Sequence, residues 1–161
     1  ISHIALKKIG NSAIFKGLPN CTFDVNDKDC LIIHAKDIGI ENLQTNDIVK
    51  LIDSKQFEWL GRFDNAIETG GIKVLPEKIE EKLGTLIANR FFISSLPDKR
   101  LNDNLILLIE GEKTNLEIAD LAMFLSKYET PKEIHFLKEF QETNTGKFSR
   151  KLTIENFIQN N

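Results

Sequence analysis

The periodicity of this chain changes once, and that change limits its fold more than any other feature. Through Gly61, short β-type runs are separated by turn signals: "HIALKKI", "DCLIIHA", "DIVKLID" and "FEWLGRF", with "SKQ" between the last two reading as a hairpin turn. This part reads as antiparallel sheet. From Gly71 onward, helix signals enter. Pro76 suits a first helical position, Ile79 and Leu83 share one face, and Gly84 is a stop. In "TNLE", Thr114 reads as a cap and Glu117 as the residue reaching back in a capping box, ahead of Ala119, Ala122 and Leu125. A third helix is marked by Ile154, Phe157 and Ile158, and the strand-like runs "RFFISSL", "NLILLIE" and "EIHFLKE" lie between the helices. The expected fold class is α+β, an antiparallel β subdomain followed by a small α+β domain. The second part, about 95 residues, is large enough to fold alone, whereas the first, about 60 residues of sheet, reads as part of something larger.

Charge and composition exclude several classes of function. With a net charge of −3 and a pI near 5.7, the chain has no basic field for nucleic acid. Cys21 and Cys30 lack CxxC spacing and a nearby histidine cluster, so neither a disulfide framework nor a metal site is expected; they read as reduced thiols of a cytoplasmic protein. No apolar run approaches the roughly 18 residues that span a bilayer, and no signal-peptide pattern opens the chain, so membrane insertion is not expected. The first residue, Ile1, is not methionine, which reads as the mark of a fragment.

Two stretches fit neither core nor plain loop. "GRFDNAIETGG" (61–71) places an arginine, an aspartate and paired glycines within eleven residues. "TNTGKFSR" (143–150) delivers Lys147 from small polar residues and a glycine; it is not a phosphate loop of the GxxxxGK[ST] type, because Gln141 takes the first glycine position and Phe148 follows the lysine. Taken singly, Lys147 reads equally as a solvated turn lysine, and "GGIKV" as a β-turn.

In order, "TND" (45–47), "GRFD" (61–64), "GGIKVLPEKIE" (70–80) and "TNTGK" (143–147) resemble the C-terminal motifs of the adenylate-forming superfamily: acyl-CoA synthetases, peptide-synthetase adenylation domains and luciferases. "SHIALKKI" further resembles the sequence after the adenine-site motif of the bacterial o-succinylbenzoate-CoA ligases of menaquinone biosynthesis. The departures are Asn46 for a usual glycine, Lys78 for a usual glutamate and Gln141 for a usual proline. The resemblance implies that residues 1–61 end a large N-terminal adenylation domain, 62–64 form a hinge, and 65–161 are a mobile C-terminal α+β domain. It also implies that the rest of the N-terminal domain, with the phosphate-gripping loop and the magnesium ligand, belongs to the same polypeptide outside this chain, which alone would be inactive.

The implied reaction has two steps: a small-molecule acid attacks the α-phosphate of ATP to give an acyl-adenylate and pyrophosphate, and the coenzyme A thiol then displaces AMP. ATP with Mg2+ and coenzyme A are the implied cofactor and co-substrate. Asp47 suits the ribose hydroxyls as an acceptor-only carboxylate, and Arg62 suits ribose or phosphate oxygens as a planar, always charged fork. Asp64 would be the hinge residue, with a mechanical role. Gly70 and Gly71 would let backbone line the pantetheine tunnel, with Lys73 either assisting there or simply solvated. Lys147 would be catalytic, its ammonium offsetting the repulsion between carboxylate and triphosphate. His3, His34 and His135 read as structural, with His3 the one near the implied acyl pocket. The resemblance implies that acyl specificity is set mainly upstream, so another aryl or fatty acyl-CoA ligase, a carrier-loading adenylation domain, and a non-catalytic fragment or binding module remain open alternatives.

Overall fold

The computed structural model of the chain describes residues 3–8, 10, 13–98 and 102–160. They form two compact units, Ile1–Asn65 and Ala66–Asn161. Arg62, Phe63 and Asp64 thus belong to the first unit.

The first unit is one antiparallel sheet. Its strands are β1 (Ala5–Lys7), β2 (Ile14–Gly17), β3 (Thr22–Val25), β4 (Cys30–Ala35), β5 (Ile40–Asp53) and β6 (Gln56–Arg62), in the spatial order β1-β2-β6-β5-β4-β3. The run expected over 3–9 is a strand only at Ala5–Lys7, and its last residue, Ile9, lies outside the described residues. β2 and β3, too short to show an alternation, have no counterpart among the expected strands. The two-residue turn Ser54–Lys55 joins β5 to β6, pairing Asp53 with Gln56. Partway along that pair the register shifts between Ile48, opposite Gly61, and Val49, opposite Trp59. A bulge of this kind re-aims the side chains beyond it, and Ile48 and Val49 are both buried although adjacent in sequence. Phe23, Leu31, Ile33, Val49 and Phe57 fill the core, with Phe57 stacked on Phe15 at 5.3 Å and meeting Phe23 edge-on at 4.8 Å. Cys21 and Cys30 are both buried and are not joined in a disulfide.

The second unit is mixed α+β. Strands β7 (Ile67–Thr69), β8 (Ile72–Val74), β9 (Phe91–Asp98), β10 (Asn102–Glu110) and β11 (Glu133–Leu137) are accompanied by helices α1 (Pro76–Leu83), α2 (Ile118–Ala122) and α3 (Arg150–Gln159). β10 organises the sheet: it pairs antiparallel with β9 from end to end and parallel with β11, the latter after a crossover through α2. Its apolar run "LILLI" is continuous because both faces of the strand are covered. Leu105, Leu107 and Ile109 join one cluster with Ile79, Leu83 and Leu121, while Ile106 and Leu108 join another with Phe92, Phe140 and Phe157.

Helix α1 begins on Pro76 and ends at Gly84, with Ile79 and Leu83 fully buried. α2 differs from expectation. Its cap is Glu117, not Thr114, and the reciprocal partner is Asp120, three residues on. Thr114 Oγ1 accepts only a long 3.4 Å bond from the Leu116 amide, and Leu116 packs against the core ahead of the helix. The next acceptor in line with a carboxylate three residues later therefore takes the cap. Among the described residues, no helix is long and apolar enough to cross a membrane, which says nothing of a β-barrel.

Candidate functional site

The expected site residues fall into three local groups. The first is built where β5 and β6 run together beyond the bulge. Cross-strand pairing sets Asp47 opposite Arg62, and their nearest charged atoms, Oδ1 and Nη1, are 3.9 Å apart. Trp59 Nε1 donates to the same Asp47 oxygen at 3.1 Å, while the Asp47 amide donates to Thr45 Oγ1 at 3.1 Å. These contacts fix the carboxylate in rotamer and height while leaving 34% of its side chain exposed, enough for a small polar ligand to reach. The Arg62 guanidinium is held as a fork on the next carboxylate along the chain: Nε and Nη2 each donate to an oxygen of Asp64 at 2.9 Å. That bidentate bond holds the Asp64 carboxyl below its usual range. Asp64 lies in a one-turn 3-10 helix, Phe63–Asn65, that ends the first unit. Asp47, Arg62 and Asp64 thus form one acid–base–acid row on a single surface, with both acids directed to one guanidinium.

The second group is the turn between β7 and β8. Gly70 and Gly71 have φ of 56° and 78°, and Thr69 pairs with Ile72 across them. Two consecutive left-handed residues closing a two-residue hairpin are the type I′ geometry, whose twist matches the flanking strands. The pair is therefore required by the turn itself. A Cβ on Gly71 would meet no atom within 4 Å, so close packing does not select glycine there; the backbone dihedral does. We expect Gly71→Val to destabilise the second unit by about 1–2 kcal/mol through the left-handed penalty. Gly70→Asn should be nearly neutral, because Asn-Gly is a favoured pair for this turn. Urea denaturation of the chain reads both, and an equal loss in the two variants would refute the turn assignment. Lys73 stands opposite Glu68 on the exposed side of this hairpin. Beside Gly70 a cavity of about 110 Å³ opens, lined by Thr69, Asn104, Leu105, Lys127, Tyr128, Thr130 and Lys132.

The third group presents Lys147. Residues 143–147 form a tight reversal in which the Thr143 amide donates to the Lys147 carbonyl at 2.7 Å and the Gly146 amide to the Thr143 carbonyl at 2.8 Å. Gly146 takes the left-handed position, φ 71°, which explains the glycine before the lysine. Below the tip, Glu142 bridges to Phe148, and Phe148 packs 5.2 Å from both Phe92 and Phe140. The Ser149 amide bonds Gln141, and Ser149 then caps α3 by accepting from the Leu152 amide. Among the described residues, the Lys147 ammonium has no hydrogen-bond or ion-pair partner. An anchored hairpin therefore carries an exposed, uncommitted cation.

Three features of these sites carried no signal in the sequence reading. Trp59 orients Asp47; Arg150 forms a fork on Glu80 at 2.6 Å for both bonds; and Arg90 forms another on Glu110 at 2.6 and 2.7 Å. Each joins segments distant in sequence, and only the Trp59 contact follows from a hairpin register. The histidines sit in structural settings or away from these groups: His34 Nδ1 lies 2.7 Å from the Glu41 carbonyl, His135 bonds Glu133 and packs on Phe157 at 4.6 Å, and His3 is exposed. Among the described residues, no cluster of three or more His, Cys, Asp or Glu could hold a metal ion.

No protein-family model matches the chain. Its relatives and structural neighbours are adenylate-forming ligases, acyl-CoA ligases among them, which it matches over part of their length. A protein of Mycobacterium tuberculosis named as a probable 2-succinylbenzoate–CoA ligase is 33% identical over 112 residues, 65% of this chain and 29% of that protein. A 2,3-dihydroxybenzoate-AMP ligase of Bacillus subtilis is 30% identical over 114 residues, 67% of this chain and 21% of that protein. Among solved structures, the acyl-CoA synthetase (AMP-forming)/AMP-acid ligase II-like protein of Dyadobacter fermentans is 32% identical with a TM-score of 0.56, covering 96% of this chain and 47% of that one. The chain spans less than a third of the length of the curated relatives it matches.

Proposed function

We propose that the chain is the C-terminal part of an ATP-dependent acid–thiol ligase that adenylates a carboxylic acid and transfers the acyl group to coenzyme A. The observation that carries this reading is Lys147: a cation with no structural partner among the described residues, raised on a hairpin whose base is anchored. A surface lysine kept for solubility needs no such mounting. Between a carboxylate nucleophile and a triphosphate, its ammonium reduces the repulsion of two anions and stabilises the charge developing on the bridging oxygen.

The other groups support the reading in distinct ways. Asp47, oriented by Trp59 and Thr45, offers a fixed acceptor to a pair of ribose hydroxyls. Arg62, still 44% exposed while paired, offers N–H groups to nucleotide oxygens. Asp64 would serve as the pivot of domain rotation at the end of the first unit, with its bond to Arg62 tying the pivot to the nucleotide group. The turn at Gly70 and Gly71, with Lys73 beside it, would line the path of the pantetheine arm. The adjoining cavity suits a phosphorylated, slender thiol, since Lys127 and Lys132 supply cationic groups and Leu105 and Tyr128 supply apolar wall. Magnesium would accompany ATP, and among the described residues no cluster suits it. The acid is proposed to be aromatic, o-succinylbenzoate first, because both curated relatives are named for substituted benzoates. The setting is proposed to be the cytoplasm, where ATP and coenzyme A are supplied.

ATP–pyrophosphate exchange tests the reading, using the chain alone and the chain joined to the preceding part of its polypeptide with a panel of aryl and fatty acids. Exchange is expected only in the joined protein, and most strongly with o-succinylbenzoate. Exchange with no acid would overturn the ligase reading, while strong exchange with a fatty acid alone would overturn the aryl assignment.

A further inference from the structure

Lys147 can act on the bond-making atoms only if its hairpin is held at a fixed height, and the hairpin's own bonds do not supply that. Its base is fixed from a different part of the unit. Arg90, the residue before β9, donates through Nε and Nη2 to the two oxygens of Glu110, at the end of β10, at 2.7 and 2.6 Å. The same Glu110 oxygen that takes Nη2 also accepts the backbone amide of Phe140 at 2.7 Å, three residues before the hairpin. The third guanidinium nitrogen, Nη1, reaches Glu142 at 3.5 Å, the residue that bridges to Phe148 on the other side of the tip. The guanidinium carbon lies over the Phe140 ring, 5.9 Å from its centroid.

We propose that Arg90 is a positioning residue for Lys147, clamping the strand that enters the 143–147 hairpin to the ends of β9 and β10, through Glu110 at the Phe140 amide and directly at Glu142; this rests on the reading that Lys147 acts in adenylation. An isolated exposed ion pair would contribute little. This one differs in geometry: the fork is bidentate, and the carboxylate it holds is the acceptor for a backbone amide of the loop, so the pair fixes main chain. The guanidinium, followed by the Phe140 amide, also holds the Glu110 carboxyl below its usual range. None of these groups reaches the reacting atoms themselves. Their effect would pass through the placement of one ammonium, and a misplacement of about 1 Å costs up to about 100-fold in rate.

The test has two readouts. In the chain itself, Arg90→Ala should raise hydrogen exchange at the Thr143, Gly146 and Lys147 amides by about tenfold, while the amides ending α1 change by less than about twofold. In the joined protein, the same variant should lower the turnover of adenylation about 10- to 100-fold with little change in the KM for ATP, and leave thioester formation from preformed adenylate intact. Arg90→Lys, which keeps charge but loses the fork, should recover less than half of either effect on a logarithmic scale, and the exchanged pair Arg90→Glu with Glu110→Arg should recover neither, because an arginine at position 110 has no acceptor for the Phe140 amide. Unchanged amide protection in Arg90→Ala would overturn the clamp. Lost protection with normal adenylation would overturn the positioning role if Lys147→Ala abolishes adenylation; if Lys147→Ala is also without effect, the Lys147 reading itself falls.

Discussion

Lys147→Ala is expected to slow adenylation by on the order of 100- to 1000-fold, the usual cost of removing one well-placed donor from a developing charge. The structure sharpens this expectation, because the Lys147 ammonium has no partner among the described residues and its loss should leave folding within about 0.5 kcal/mol. A rate defect in a fully folded protein would then report on chemistry alone. If, as proposed, the second unit turns between the two steps, the lysine is needed in the first and absent from the second. Supplying chemically made acyl-adenylate should therefore bypass the defect and restore near-normal thioester formation. Lys147→Arg should rescue the first step poorly, since a planar fork does not occupy the place of a compact ammonium between two anions. Single-turnover kinetics of the joined protein, begun from ATP with acid or from preformed adenylate, measure both arms. Equal impairment from both starting points would assign Lys147 to the fold or to both steps. No impairment from either would return it to the solvent.

How much of this was legible in the sequence depends on the range of the interaction. Local signals were read correctly where one segment determines them: Pro76 and Gly84 bracket α1, and "SKQ" contains the Ser54–Lys55 turn. Counting outward from that turn in simple register sets Asp47 opposite Arg62, which is the observed pairing even though the register shifts and recovers in between. The row Asp47–Arg62–Asp64 was thus within reach of sequence reasoning, and its geometry adds Trp59. The Thr114 cap failed because several capping residues compete within "KTNLEIAD", and core packing of Leu116 decided among them. The paired glycines were assigned a ligand-facing role in the resemblance, whereas their dihedrals already require glycine for a type I′ turn. The two demands act on the same residues, so sequence cannot separate them. The clamps Arg90–Glu110 and Arg150–Glu80 were invisible, since each spans 20 or 70 residues and is made only when the sheet assembles.

The second of these clamps carries the largest expected effect on stability. Arg150 opens α3 only three residues after Lys147, and its Nη1 and Nη2 donate to Glu80 on α1 at 2.6 Å each. Glu80 also accepts the Ile93 amide of β9 at 2.8 Å, and the guanidinium lies 5.3 Å over the Phe92 ring. One ion pair therefore ties α1, β9 and α3 together, with the Arg150 side chain only 27% exposed and that of Glu80 17%. Burial works against the Arg150 charge, but the bonds from Glu80 more than compensate, and the guanidinium's pKa is raised above its ordinary value. Removing only the acid leaves that charge buried without its bonded partner, with only the through-space attraction of Glu77 remaining, so Glu80→Ala is expected to cost about 3 kcal/mol, the lower end for a broken buried pair given the residual exposure. Replacing both partners, with Glu80→Met and Arg150→Met, should recover most of the loss because no charge is then stranded. The measurement is urea denaturation of the chain followed by two probes: Trp59 fluorescence reports the first unit and Tyr128 absorbance the second. In Glu80→Ala the Tyr128 transition should fall by about 2 M urea while the Trp59 transition stays in place. A double variant as unstable as Glu80→Ala would show that the geometry of the pair, not the stranded charge, sets the cost; an unshifted Tyr128 transition would show that the pair contributes nothing to the fold.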